Sequence, residues 1–220
     1  MTRSVFDKLP QRYDVLQKQA LPNWQAFFST VVEYIPEGRV DILELASGTG
    51  FLTSMIRKAR PEASITCIDR DPAMLEVAKG KPELKDVTFI EGDILRAWPE
   101  GTFDLIVSTQ CIFALPVDDR IRLFGQIHDS LRPDGIFIEG DIFRQESRLE
   151  TMIYRSQWKK YMLGHGMSTA EVEEMLLSLD RIYDGIDTIQ ELKEKLKAAG
   201  FENVFCPYWY ELYALIVASV

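Results

Sequence analysis

Long hydrophobic runs are missing from this 220-residue chain, and nowhere does it approach the roughly 20 apolar residues of a membrane-spanning helix. The opening Met1-Thr2-Arg3-Ser4-Val5-Phe6-Asp7 lacks the apolar core and small-residue cleavage site of a secretion signal, so a cytoplasmic protein is expected. Cysteine is scarce. Cys67, Cys111 and Cys206 are widely spaced and fit neither a disulfide framework nor a set of zinc ligands, so no metal is expected. Only two histidines occur, His128 and His165. Basic residues are outnumbered, 25 Lys and Arg against 34 Asp and Glu, for a net charge of -9. Proteins that neutralise many phosphates carry a basic stripe, and the densest cluster here, Arg155 with Lys159 and Lys160, is small. That excludes a general nucleic-acid binder and leaves open a few contacts with a structured RNA.

What is present is ordinary globular composition, 46% hydrophobic and 27% charged, in a length that suits one domain with a full core. From residue 40 onward, short apolar runs alternate with amphipathic stretches, which predicts an α/β fold with a doubly wound, mostly parallel sheet. Strands are expected at residues 40–45, 64–69, 87–91, 103–108 and 135–140, near-continuous apolar runs of the kind covered on both faces. Two more, at 204–207 and 210–219, form a closing pair and bring the count to seven. Asp71-Pro72 opens a helix to about Lys79, with the carboxylate as cap and proline in the first turn. Asp118 or Asp119 opens another, ended by a turn at Arg132-Pro133-Asp134-Gly135. Ser168 with Glu171 and Thr188 with Glu191 are capping boxes, and Gly200 closes the last helix.

The chain divides as one domain into an N-terminal helical cover (1–38), a ligand-binding core (40–142), a helical lid insertion (143–186), and the last helix with the closing strands (187–220). Phe27, Phe28, Val31, Val32 and Ile35 mark an amphipathic helix in the cover. An insertion after the fifth strand lies over the carboxyl ends of the strands, where open α/β sheets bind ligands.

The strongest local signal is Ile42-Leu43-Glu44-Leu45-Ala46-Ser47-Gly48-Thr49-Gly50-Phe51-Leu52, a buried strand entering a small-residue loop and then a helix. Gly48 and Gly50 allow a tight bend and the close approach of a ligand. Asp69 ends the second strand 19 residues beyond Gly50, where an acid accepts the ribose hydroxyls of a nucleoside. Its neighbour Arg70 joins the candidate set. Asp93 and Ile94 follow the third strand and can hold an adenine. Thr109 follows the fourth, where donor and acceptor would meet.

Glu44 to Gly50, Asp69, Glu91-Gly92-Asp93-Ile94, Phe103-Asp104-Leu105-Ile106-Val107 and Leu131-Arg132-Pro133-Asp134-Gly135 occur in an order that resembles the class I S-adenosylmethionine-dependent methyltransferases. The resemblance covers about residues 40–142. It implies a Rossmann-like fold, S-adenosyl-L-methionine as cofactor and S-adenosyl-L-homocysteine as product. It also implies that Glu44 faces the ligand's amino group directly or through water. Ala46, Ser47 and Gly48 would present backbone to the methionine moiety, Asp69 hold the ribose, and Asp93 and Ile94 the adenine. Ala46 departs from a position that is often glycine.

The flanks, Phe6-Asp7, Leu21-Pro22-Asn23-Trp24, Gln157 to Met162 and Met167 to Val172, resemble a subgroup. It contains carboxy-S-adenosylmethionine synthases of tRNA wobble-uridine modification and uncharacterised small methyltransferases. Those synthases supply an arginine after the Ser-x-x-Glu capping box to hold the added carboxylate. In that register this chain has Met175, Leu176 and Leu177, and its nearest basic residue is Arg181. Ordinary S-adenosylmethionine is therefore the expected ligand.

Some residues admit two roles. Trp24 either covers the methionine end of the ligand or staples the first helix. Trp158, Tyr161 and Met162 either line an acceptor pocket or pack, since their spacing serves both. His128 reads as structural. If the acceptor must lose a proton, Asp141 and His165 are the candidate bases. An apolar, aromatic lid suits a small-molecule acceptor. A non-catalytic S-adenosylmethionine-binding module shares the same loop. Oligomeric state leaves no trace in the sequence. A nicotinamide dehydrogenase is disfavoured because Gly48-Thr49-Gly50-Phe51-Leu52-Thr53 lacks the third glycine of its fingerprint. Calorimetry should show micromolar S-adenosylmethionine or S-adenosylhomocysteine binding and none of NAD. Gly48→Arg should abolish the former without unfolding the protein, and binding of NAD alone would overturn the reading.

Overall fold

The structure, a computed structural model, describes residues 10–220, so Phe6-Asp7 lies outside it. Seven strands form one sheet: β1 (Asp41–Leu45), β2 (Ser64–Asp69), β3 (Thr88–Glu91), β4 (Phe103–Thr109), β5 (Leu131–Ile142), β6 (Asn203–Tyr210) and β7 (Tyr213–Ser219). Their order is β3-β2-β1-β4-β5-β7-β6, with β1 to β5 parallel to their neighbours and β7 antiparallel to both β5 and β6. The order reverses between β1 and β4, and the crevice outside the strand ends at such a switch point is where open sheets take ligands.

Eight α-helices flank the sheet among the described residues: α1 (Tyr13–Ala20), α2 (Trp24–Glu33), α3 (Phe51–Ala59), α4 (Pro72–Lys79), α5 (Val117–Asp129), α6 (Arg148–Gly164), α7 (Thr169–Asp180) and α8 (Ile189–Ala198). The two-residue period of a strand divides the core. Ile42, Cys67, Leu105 and Ile138 face one way, packing in one cluster with Phe27 and Phe28 of α2 and Ile56 of α3. Leu43, Ile68, Ile106 and Phe137 face the other way, in a second cluster with Leu123 and Phe124 of α5 and Leu192 of α8. Burial on both faces explains the unbroken apolar runs. Strand β3 is the exception to the expected double cover: Thr88 and Glu91 are exposed and Phe89 and Ile90 half-buried, because it forms a sheet edge.

Helix ends follow the chemistry of their caps. Asp71 accepts a bond from the Ala73 amide ahead of Pro72. The capping boxes at Ser168 and Thr188 are present, and a third, Ser147 with Glu150, opens α6. The expected turn at residues 132–135 is instead a bulge within the long strand β5. Leu131 pairs with Phe103 and Ile136 with Leu105, so the chain between them loops out while the ladder continues. Asp134 has φ of 65°, and Arg132 bonds Asp104 and Asp41 at 2.7 and 2.5 Å, locking the bulge to β4 and β1.

Between β5 and α8 stand α6 and α7. Trp158 is almost wholly buried, donates from Nε1 to the Ala20 carbonyl at 2.6 Å, and sets its ring edge against Tyr213. Tyr161 donates to the Lys18 carbonyl at 3.0 Å. These side chains tie α6 to the end of α1, and Met162 is buried beside them, so packing is what their spacing serves. Trp158→Ala should cost about 3–5 kcal/mol in chemical denaturation, the usual toll of truncating a large buried aromatic. Amide exchange along α6 should quicken more than across β1, and equal quickening would show that α6 is not held this way.

Candidate active site

The turn from β1 to α3 is built by backbone geometry. Ala46, Gly48 and Gly50 all have left-handed φ, of 55°, 55° and 72°. Glycine holds such angles freely, whereas a residue with a Cβ pays about 1–2 kcal/mol. Ala46 carries that strain, which accounts for glycine being common there. The two glycines serve different ends. A side-chain carbon on Gly50 would lie 2.6 Å from Leu84, so packing forbids it. A side-chain carbon on Gly48 would meet only the Tyr13 ring, at 3.9 Å. Gly48 therefore has the open face, and its amide donates to Asp69 Oδ2 at 2.7 Å.

Asp69 Oδ1 accepts a second bond from the Asp71 amide at 2.8 Å. Burial raises its pKa while these two amides oppose the rise. Glu44 lies on the α3 side of the sheet, where Thr53 Oγ1 donates to its Oε2 at 2.6 Å. Burial, the largest effect, pushes its carboxyl up to about 7. Ser47 is buried and its amide donates to Ile68 O, stitching the loop to β2. Arg70 is exposed just beyond. Asp93 is exposed and caps its own turn through the Leu95 amide, while Ile94 is buried beneath. Thr109 ends β4.

Trp24 sets its ring against Phe51, the first residue of α3, at 6.0 Å, and the Lys18 ammonium sits 5.0 Å from its centroid. It is thus stapled between α1 and the loop's helix. Asp141 is fully buried under the segment that follows β4. His165 is exposed at the end of α6, bonded to the Tyr161 carbonyl and stacked on the Tyr161 ring 3.8 Å away. His128 packs edge-on against Phe201, a structural place.

Sequence reasoning missed the N-terminus of α1. Tyr13 stands over Gly48, and Asp14 accepts from Thr49 Oγ1 at 2.5 Å and from Lys81 Nζ at 2.8 Å. No spacing rule links residue 14 to residues 49 and 81. Glu139, also buried, was missed because it reads as one acid inside a strand. At the end of β4, Ser108 Oγ and Gln110 Nε2 are buried polar atoms without a hydrogen-bond partner. Such atoms cost free energy unless a ligand or water answers them.

Residues 42–135 match the family model described as a methyltransferase domain. The chain is 27% identical to the carboxy-S-adenosyl-L-methionine synthase of Nautilia profundicola, over 98% of this chain and 90% of that protein. It is 33% identical to the malonyl-[acyl-carrier protein] O-methyltransferase of Bacillus anthracis, over 58% of this chain but only 47% of that protein. The core of the chain, residues 42–135, is thus similar to the S-adenosylmethionine-dependent methyltransferases, which supports an enzyme of that kind with S-adenosylmethionine as its cofactor. Human N-acetylserotonin methyltransferase, solved with S-adenosylmethionine, shares the fold with a TM-score of 0.62 at 18% identity, covering 93% of this chain and 55% of that one.

A polar nucleoside ligand fits a crevice where Gly48 lacks a Cβ, Asp69 waits at the neighbouring strand end, and Ser108 and Gln110 present unanswered polar atoms. Among the described residues no helix is long and apolar enough to cross a membrane.

Glu44 carries a pH signature. Its folded pKa is raised from 4.5 to about 7, so the stability tied to its neutral form is complete below 4.5 and lost as pH rises through 7. Glu44→Gln should flatten the fall in melting temperature between these pH values and, at pH 8, stabilise the ligand-free protein by about 1–3 kcal/mol. An unchanged pH profile in the variant would assign the titration to another group.

Proposed function

We propose that the protein transfers the methyl group of S-adenosylmethionine to a small-molecule acceptor enclosed beneath α6 and α7. The observation that carries this reading is the open face of Gly48 at the strand-order switch, with Asp69 beside it. S-adenosylmethionine supplies a methyl already activated by a positively charged sulfur. The chain's task is then alignment, which by itself can lower a barrier by several kcal/mol.

In this reading the backbone of Ala46, Ser47 and Gly48 holds the methionine moiety. Asp69, with its two loop amides, accepts the ribose hydroxyls beside Arg70. Asp93 and Ile94 bracket the adenine, and Thr109 borders the reacting end. Glu44, with Oε2 taken by Thr53, reaches the amino group through water. Trp24 supports the loop through Phe51. Helices α6 and α7 act as a roof that keeps water from the acceptor. A small acceptor is consistent with relatives such as the trans-aconitate 2-methyltransferase of Escherichia coli, 35% identical over 46% of this chain.

A second reading is synthesis of the carboxylated cofactor, favoured by the similarity to the Nautilia profundicola protein along nearly the whole chain. The lid argues for the plain cofactor. Met175 and Leu176 pack against the apolar core, and Leu177 is exposed. Arg12 pairs with Glu171 at the start of α7, and Arg155 pairs with Asp180 at its end. A carboxylate buried against Met175 and Leu176 without a cation would cost several kcal/mol. Mass spectrometry of ligand carried through purification should find S-adenosylmethionine or S-adenosylhomocysteine. Recovery of a carboxylated species would overturn the assignment.

A further inference from the structure

Two acids at alternate positions of β5, Glu139 and Asp141, point to the same face of the sheet and are 3% and 0% exposed. The chain passes over them immediately after β4. Gln110 has φ of 57°, its amide donates to the Gly140 carbonyl at 2.8 Å, and a 3-10 turn over Ile112–Ala114 follows. The Phe113 amide donates to Asp141 Oδ2 at 3.1 Å, and the amides of Cys111 and Ile112 face the same carboxyl. The Phe113 bond ties the segment to Asp141, whose other oxygen, Oδ1, is buried without a partner.

We propose that Asp141 is a positioning residue whose buried carboxyl, beside Glu139, holds the Phe113 amide and so fixes the segment bordering the acceptor side of the site. This rests on the methyltransferase reading only for what the segment borders. The segment begins at Gln110, whose side-chain nitrogen is one of the unanswered polar atoms, and follows Thr109 directly. Cys111 lies within electrostatic reach of both Asp141 and Asp69, which places the segment near the end of β2 as well as over β5. A base must touch the proton it removes, and Asp141 has no exposed surface from which to do so. It acts through the segment instead.

The arrangement is sensitive to pH because the carboxyl has been taken out of water. Around it stand Glu139 on the same strand, Cys111 from the segment above, and Tyr213 on β7. Arg120 of α5 and Asp187 act on Glu139, but Arg120 already pairs with Asp187 at 3.0 Å, and Lys195 pairs with Asp187 too. Among the described residues neither Glu139 nor Asp141 has a salt-bridge partner, and the Arg120 charge is shared with Asp187. Burial raises Asp141 from 3.8 to about 7, and burial together with Asp141 holds Glu139 well above the carboxylate range. Glu139 thus keeps its proton and stands beside Asp141 as a neutral acid. Asp141 ionises more easily in water than under the segment, so rising pH favours lifting the segment. Closure is strongest below about 4 and weakens up to about 7.

Hydrogen exchange of the amides of residues 111–113, expressed as protection factors to remove the intrinsic effect of pH, tests this directly. Wild type should lose protection about tenfold or more between pH 5 and pH 7.5, then level off. Asp141→Asn, an uncharged isostere that still accepts amide bonds, should give a flat profile. Glu139→Gln keeps a neutral polar group beside Asp141 and should follow wild type. Glu139→Leu replaces it with an apolar one that solvates the Asp141 charge less, and should shift the fall upward by roughly one pH unit. A sloping profile in Asp141→Asn, or identical profiles in Glu139→Leu and wild type, would refute the proposal. If Asp141→Asn does not fold, the wild-type series and the two Glu139 variants still decide it. S-adenosylhomocysteine binding by wild type, measured separately by calorimetry, tests the donor site. Its absence with the pH profile intact would overturn the function and leave the positioning role standing.

Discussion

One hydrogen bond joins the two halves of the candidate donor site: the Gly48 amide to the Asp69 carboxylate, 2.7 Å apart. It ties the loop leaving β1 to the end of β2, and the Ser47 amide adds a second stitch to Ile68. A loop that must adopt left-handed angles at three positions has little stability of its own. The parallel pairing of β1 with both β2 and β4 supplies the rigidity, since it fixes where the strands end. Helix α3 starts at Phe51 because the loop has already turned, and Gly50 permits Leu84 to pack where a side chain would stand. Site geometry and core packing are thus one arrangement.

Charge is the second organising constraint. Glu44, Asp69, Glu139 and Asp141 all lie near the carboxyl ends of strands and all are buried in a chain that is already acidic. None makes a salt bridge among the described residues. Three of the four instead meet amides or a hydroxyl: Thr53 for Glu44, Gly48 and Asp71 for Asp69, Phe113 for Asp141. Dipoles compensate burial only partly, so the carboxyls rise toward neutrality and ionise reluctantly. A sulfonium ligand brings positive charge to this end of the sheet, which is the complement the acids lack.

The outer helices depend on the inner ones. Helix α1 reaches the donor loop through Tyr13 and Asp14 at its start and anchors α6 through the Lys18 and Ala20 carbonyls at its end. Arg12, just before it, reaches Glu171 in α7. A displacement of α1 would therefore be felt both at Gly48 and in α6 and α7.

Much of the architecture was legible in the residues themselves. Continuous apolar runs located β1, β2, β4 and β5, capping boxes located α7 and α8, and the small-residue loop located the turn from β1 to α3, because each signal is local. The bulge at residues 132–135 escaped, since Pro133 and Gly135 serve a turn and a bulge equally and only pairing with Phe103 and Leu105 separates them. Asp93 and Thr109 were placed by their positions after strands, which tertiary structure keeps. Trp158 and Tyr161 had two readings, and the carbonyls of Ala20 and Lys18, more than a hundred residues away, decided for packing. His165 and Asp141 looked equally able to accept a proton. Folding left the first bonded to its own helix and sealed the second under backbone amides. By itself the sequence determined the order of the elements, the glycine loop and the acids at strand ends, since propensity and periodicity act between neighbours. Which carboxyls are buried, what answers them and what stands over Gly48 were decided only in three dimensions, because solvation and hydrogen bonding depend on atoms that sequence distance does not reveal.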